Sequence, residues 1–195
     1  FDLLFGYNKS VYTELWNVWI ILLLLMMMHQ IIRDRVSIIN TMFKAVDRPE
    51  DRPHTLFWFS SQIIVGLMVI IPFSIYFNHI DKIGLIFIPI LINGLADGLA
   101  EPVGIRFGKH KYQTKALLSS KKYTRSYEGS FCVFIVSTII IACFYNYINL
   151  NQYLFSLFII PIMSTLAEAF APHTWDSPFI YLVVSLLLVL VTQVL

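Results

Sequence analysis

The chain has 195 residues, 57% of them hydrophobic and only 13% charged, with a mean hydropathy of +0.71 and a formal net charge of +2. This composition excludes an ordinary soluble domain, and no polar stretch is long enough to fold as one. It points to an all-α, polytopic integral membrane bundle forming a single transmembrane domain over residues 1–195, because backbone polar groups in lipid must be satisfied inside the fold.

The first residue is Phe1 rather than Met, so the expectation is a processed or truncated chain with room for a preceding helix. Six apolar stretches approach the roughly 20 residues that cross a bilayer core. They cover 15–32, 56–77, 83–100, 131–147, 153–170 and 179–194, predicting about six transmembrane helices. The first is too long and too poorly flanked for a cleavable signal. After it come Arg33, Arg35, Lys44, Arg48 and Arg52, within a polar loop predicted over 33–55. Its segment 48–55, with two prolines, reads as a non-helical connector. Local ion pairs could hold it, or it could reach a nucleotide or lipid headgroups.

The third stretch ends in small residues, Gly94, Ala96, Gly98 and Ala100. Gly94-x-x-x-Gly98 is the spacing that lets a second helix approach closely. Asp97 and Glu101 lie four residues apart, so they share a helix face. A carboxylate at membrane depth costs about 2.5–3.5 kcal/mol on insertion scales. Two that close repel unless a proton or cation holds them. Pro102 disfavours helix at the residue before it, which predicts Glu101 at the helix mouth and Asp97 one turn deeper.

A basic loop is predicted over 101–130, with Arg106, Lys109, Lys111, Lys115, Lys121, Lys122 and Arg125. Gly104 and Gly108 permit a close backbone approach to a ligand, or form an ordinary surface turn. Ser126 or Thr124 can cap the fourth helix. A helix start with free N–H groups and nearby cations suits a phosphate; equally, it is a capped helix whose lysines snorkel to headgroups. Cys132 and Cys143 share one predicted helix about three turns apart, too far to bridge. Near the last loop, 171–177, stand Glu168, His173 and Asp176. No second His or Cys completes a zinc set, and the carboxylates suit an oxygen-rich phosphate or magnesium site better.

Of the 14 Lys and Arg residues, 12 fall in the loops 33–55 and 101–130. The positive-inside rule assigns both loops to the cytoplasmic side. Six spans then bring the 171–177 loop to the same side, so Asp97, Glu101, Glu128, Glu168 and Asp176 are expected near one face. The Asp97-Gly98 pair also opens the CDP-alcohol phosphotransferase signature, but the Ala-Arg that should follow and the later Asp-x-x-x-Asp are absent.

The segment Asp97-Gly-Leu-Ala-Glu-Pro-Val-Gly104-Ile-Arg-Phe-Gly108-Lys-His-Lys111 resembles the Gly-Asp-Gly-x-Ala-Asp-x-x-Gly-Arg-x-Phe-Gly-x-x-Lys stretch of the polyprenol kinase family. That family includes dolichol and phytol kinases and is related to CDP-diacylglycerol synthases. Arg125-Ser-Tyr-Glu-Gly-Ser130 resembles its Lys-Ser-x-Glu-Gly-Ser motif, and Glu168-Ala-Phe with Asp176-Ser-Pro178 resembles its late elements. The matches keep the family's order and cover about residues 93–179. Ala96, Glu101 and Arg125 replace a Gly, an Asp and a Lys, and the stretch 113–123 is longer than expected. The first half carries no family signature.

The resemblance implies a membrane lipid kinase that transfers a phosphoryl group from CTP, with Mg²⁺, to a long-chain isoprenoid alcohol. Asp97 and Glu101 would hold the metal. Gly104, Arg106, Gly108, Lys109, Lys122, Arg125, Ser126, Gly129 and Ser130 would hold the nucleotide. Glu128, Glu168 or Asp176 would orient these groups or take the hydroxyl proton. The implied partners are the bilayer, the lipid and the nucleotide, with no nucleic acid. Cytidylyl transfer to a phospholipid, or a non-catalytic kinase-like subunit of a membrane complex, are the rival expectations.

Overall fold

The computed structural model describes residues 11–47, 52–115, 122–171 and 175–194. They divide into two compact units, Phe1–Ile63 and Ile64–Leu195. The second carries every residue of the expected site.

In the first unit, α1 spans Val11–Met27 and is followed by the single turn α2, Gln30–Arg33. Then comes α3, Ser37–Val46, in the middle of the segment expected as a loop. The flanking charges hid its pattern: Ile39 and Phe43 are one turn apart and both buried, while Thr41 and Lys44 are exposed. That is helical periodicity, and the helix follows from it. The Arg33 guanidinium lies 3.9 Å from the Phe43 ring centroid, a cation–π contact. Asp47 closes α3 by accepting the Thr55 hydroxyl at 2.6 Å and Arg52 Nε–H at 2.9 Å. These bonds hold its carboxyl below the usual range, Thr55 contributing most. Thr55 is the first residue of α4, Thr55–His79.

In the second unit, a helical rod, α5, runs from Ile83 to Phe107. It opens as a 3₁₀ turn, widens to a π segment at Ile92–Asp97 and ends as the α-helix Gly98–Phe107. The expectation that Pro102 stops the helix near Glu101 is therefore corrected. Proline forfeits only the bond to the Gly98 carbonyl, and the π turn just before it already departs from the i→i−4 ladder. Glu101 lies inside the rod, not at its mouth.

An antiparallel hairpin follows, β1 Lys111–Lys115 paired with β2 Lys122–Ser126. It leads directly into α6, Tyr127–Cys143. Next come α7, Leu150–Phe170, started by an Asn149–Gln152 capping box, and α8, Asp176–Val194. The helices alternate in direction. At one end, Lys82 Nζ–H donates to Gln152 Oε1 at 3.5 Å and the Gln152 amide donates to the Val191 carbonyl at 3.3 Å. The end of α5, the hairpin, the start of α6, the end of α7 and the start of α8 gather at the other. The core between them is apolar and branched: Ile88, Ile92, Val133, Ile141, Ile160, Ile180, Val184 and Leu188 are fully buried. In lipid such side chains hold helices together through packing, because transfer from one apolar phase to another gains little.

Four helices, α4, α5, α7 and α8, are long and apolar enough to cross a membrane. The chain is thus an all-α membrane protein with a small hairpin attached. α1 and α6 have 17 residues each, about 26 Å of rise against a core of about 30 Å.

Candidate functional site

The hairpin positions Arg125. Strand alternation points it away from the side of Thr124 and Ser126, toward the ends of α7 and α8. Its Nη1–H donates to Glu168 Oε1 in a short contact, and Nη2–H donates to Asp176 Oδ1 at 3.4 Å. Glu168 is almost wholly buried, and Asp176 is largely covered. One cation therefore joins two carboxylates from two helices. Among the described residues, Arg125 Nε and Glu168 Oε2 are also buried without a hydrogen-bond partner in the chain. Leaving buried polar atoms unmatched costs about 1–3 kcal/mol each. A group that both donates and accepts, such as a hydroxyl or a protonated phosphate, suits such a pair.

Next to this trio, α5 crosses the start of α6 at very close range. A Cβ on Gly104 would meet Ser126 Oγ at 2.7 Å. On Gly108 it would meet the Gly104 carbonyl at 2.2 Å, and on Gly129 the Ala100 carbonyl at 2.8 Å. Gly129 is required by close backbone packing against α5, and Gly104 and Gly108 make room for the Ser126 side chain. Ser126 accepts the Gly129 N–H at 3.1 Å and so caps α6. The expected Gly94-x-x-x-Gly98 contact, in contrast, is corrected: among the described residues a Cβ on either glycine meets nothing within 4 Å. The spacing is present, but within the second unit no described neighbour packs closely on either glycine.

Glu128, in the first turn of α6, accepts the backbone N–H of Lys109 at 3.1 Å and of His110 at 3.2 Å. His110 Nδ1 lies 3.0 Å from the same oxygen. The Glu128 backbone N–H and these contacts lower its pKa to about 2. The carboxylate is thus occupied in fastening the turn after α5. Ser130 is bonded to the Tyr112 hydroxyl at 2.5 Å. The side chains of Arg106 and Lys109 are exposed. The Lys122 backbone pairs with Lys115 in the hairpin, while the side chain of Lys122, like all of Lys121 and His173, lies outside the described residues.

Asp97 ends the π segment, half-buried, and Glu101 is exposed one turn further along α5. Beside Asp97, the Asn93 amide donates to the Tyr181 hydroxyl of α8 at 3.2 Å. Among the described residues Asn93 Oδ1 is buried with no hydrogen-bond partner. Reading the sequence missed Asn93 and Tyr181, although the i−4 spacing of Asn93 from Asp97 and the Tyr181 phenol in an apolar helix were visible. It also missed the hairpin, whose signal is the Tyr- and Thr-rich runs at 111–115 and 122–126. Among the described residues no three His, Cys, Asp or Glu side chains converge as a metal cluster.

No family model, curated protein or solved structure matches this chain. Geometry and composition therefore define it only as an all-α membrane protein, with an ionic trio and a glycine-packed helix crossing at one end.

Proposed function

We propose that the chain is a membrane lipid kinase, transferring a phosphoryl group from CTP to a long-chain isoprenoid alcohol. The observation that carries this reading is the Arg125–Glu168–Asp176 trio. It joins two of the three sequence segments in which the resemblance to polyprenol kinases lies. The Gly104–Ser126 and Gly129–Ala100 contacts bring in the third. Phosphoryl transfer asks mainly for positioning and charge compensation.

Asp97 and Glu101 offer carboxylate oxygens one turn apart, and Mg²⁺ is commonly held by one or two carboxylates together with substrate phosphates. The donor set fits that ion; when bound, it would neutralise charge on the donor phosphates. Arg125, held at a fixed angle by its two carboxylates, presents Nε–H to a phosphate oxygen. Lys109, Lys122 and Arg106 supply further positive charge. Glu168 Oε2 accepts a proton or orients the lipid hydroxyl. In this reading α1 and α6 also cross the bilayer, giving six spans, and the basic segments face the cytoplasm.

A second reading has a specific observation behind it. Glu128, Ser126 and Ser130 are all bonded within the fold, as they would be in a non-catalytic subunit that kept an enzyme-like frame. The purified chain in lipid nanodiscs, given Mg²⁺, mixed polyprenols, phosphatidic acid as a lipid phosphate acceptor, and CTP labelled at the γ or α position, separates these. Label from the γ position alone in the lipid is the expected result. Lipid labelled from the α position makes the chain a cytidylyltransferase. No labelled lipid from either moves the reading to the subunit.

A further inference from the structure

Helix α3 has two apolar edges, and the fold uses only one. Ile39 and Phe43 are buried. Ile38 and Met42, also one turn apart, are 74% and 52% exposed, and Ile31 and Val36 just before them are exposed as well. Round the helix from that edge stand Thr41 and then Lys44, exposed, with Arg35 exposed just ahead of the helix. An apolar edge beside a cationic one, on a helix too short and too polar to span, is the pattern of a helix lying in a bilayer interface.

The chain on either side fixes where that helix lies. Its last residue is capped by Asp47, which holds the Thr55 hydroxyl at 2.6 Å. Thr55 begins α4, one of the four helices able to cross a membrane. The end of α3 is therefore tied to the mouth of a span. Exposed Phe57 and Trp58 follow immediately in α4, and Trp is enriched at the headgroup level. Arg52, also exposed, is held to Asp47 at 2.8 Å at the same level. Asp34 is near Arg33, at 3.9 Å.

We propose that Ser37–Val46 is an interfacial helix, with Ile38 and Met42 inserted among the acyl chains and Arg35 and Lys44 bound to anionic lipid headgroups. The occupant of the exposed edge is the bilayer itself, chosen by charge and by the Asp47–Thr55 tether. This does not rest on the kinase reading, and its test uses no turnover.

The full chain, with Cys132 and Cys143 replaced by Ser, would carry one fluorophore on Ile38→Cys, Met42→Cys or Thr41→Cys. It would be reconstituted in phosphatidylcholine vesicles with or without phosphatidylglycerol. Brominated lipid should quench the labels at 38 and 42 well beyond the label at 41, and aqueous iodide should do the reverse. Arg35→Gln and Lys44→Gln should each weaken binding of pyrene-labelled phosphatidylglycerol about fivefold. Equal iodide access at all three positions would overturn the proposal, leaving a solvated helix. Protection from iodide without lipid quenching would overturn it in favour of a protein partner or a second copy. Quenching that ignores both phosphatidylglycerol and the two substitutions would overturn the anionic assignment.

Discussion

Glu128 and His110 are joined twice: the carboxylate accepts the His110 backbone N–H at 3.2 Å and lies 3.0 Å from its ring Nδ1. A single side chain in the first turn of α6 thereby fastens the turn that ends α5. The anion also sits at a helix N-terminus, where the peptide dipoles favour it.

This contact should make stability depend on acid. The Glu128 pKa in the fold is about 2, below its ordinary value of 4.5. A lowered carboxyl stabilises the fold above the unfolded value, and that gain disappears as pH falls from about 4.5 toward 2. Glu128→Gln should therefore melt below the parent at pH 7. The gap should narrow as pH drops below about 4.5, measured by tryptophan fluorescence in detergent. A gap that stays constant across that range would show that the charge on Glu128 is not what fastens the turn.

Arg125 should be costly to remove alone. Arg125→Met leaves Glu168 buried without its cation, and breaking a buried pair costs about 3–5 kcal/mol. With Glu168→Gln added, the uncompensated charge is gone and much of the loss should return. The four corners of this double-mutant cycle, read by denaturant unfolding, should give a coupling above about 1 kcal/mol. Additive losses would mean that the two residues act independently.

The glycines should divide by sign. Gly129→Ala drives a Cβ to 2.8 Å from the Ala100 carbonyl, a backbone atom that cannot rotate away. It should destabilise by about 1–3 kcal/mol, the usual cost of overpacking. Gly94→Ala and Gly98→Ala place a methyl where nothing lies within 4 Å. These should be neutral or stabilise by up to about 1 kcal/mol, since Ala loses less backbone entropy in a helix. Thermal midpoints of the three variants in one detergent provide the comparison.

These glycines also show where the sequence was legible. Spacing identified a small-residue strip at 94 and 98, but spacing does not tell which face of a helix meets a neighbour. The close crossing is made at 104, 108 and 129. Apolar length was the clear signal, because bilayer thickness sets it, and it located α4, α5, α7 and α8. α3 was hidden by flanking charge, and the hairpin by its lysines. The charge pattern led to the expectation that Asp97, Glu101, Glu128, Glu168 and Asp176 lie near one face; of these, Glu168 and Asp176 meet through Arg125. The place of Glu128 was not legible, because its partners are mainly backbone N–H groups and carry no residue signature.

Asp97 is the most direct test of the proposed chemistry. Asp97→Asn keeps the size of the side chain and removes the anionic oxygen that a magnesium ion requires. The half-buried position means that losing the charge also removes a desolvation cost. Thermal stability should therefore hold or rise slightly, while CTP-dependent phosphorylation of polyprenols should fall at least about a hundredfold, equivalent to roughly 2.7 kcal/mol of transition-state stabilisation. Glu101→Gln, at an exposed position one turn on, should lose less, because water and a nucleotide phosphate can replace its oxygen. Both variants should be measured for turnover across a magnesium titration and for melting in the same preparation. A weaker ligand set raises the magnesium needed for half activity, so the Glu101 variant should recover at high magnesium and the Asp97 variant should not. Undiminished turnover in Asp97→Asn would remove this residue from the reaction and shift attention to Glu168 and Asp176.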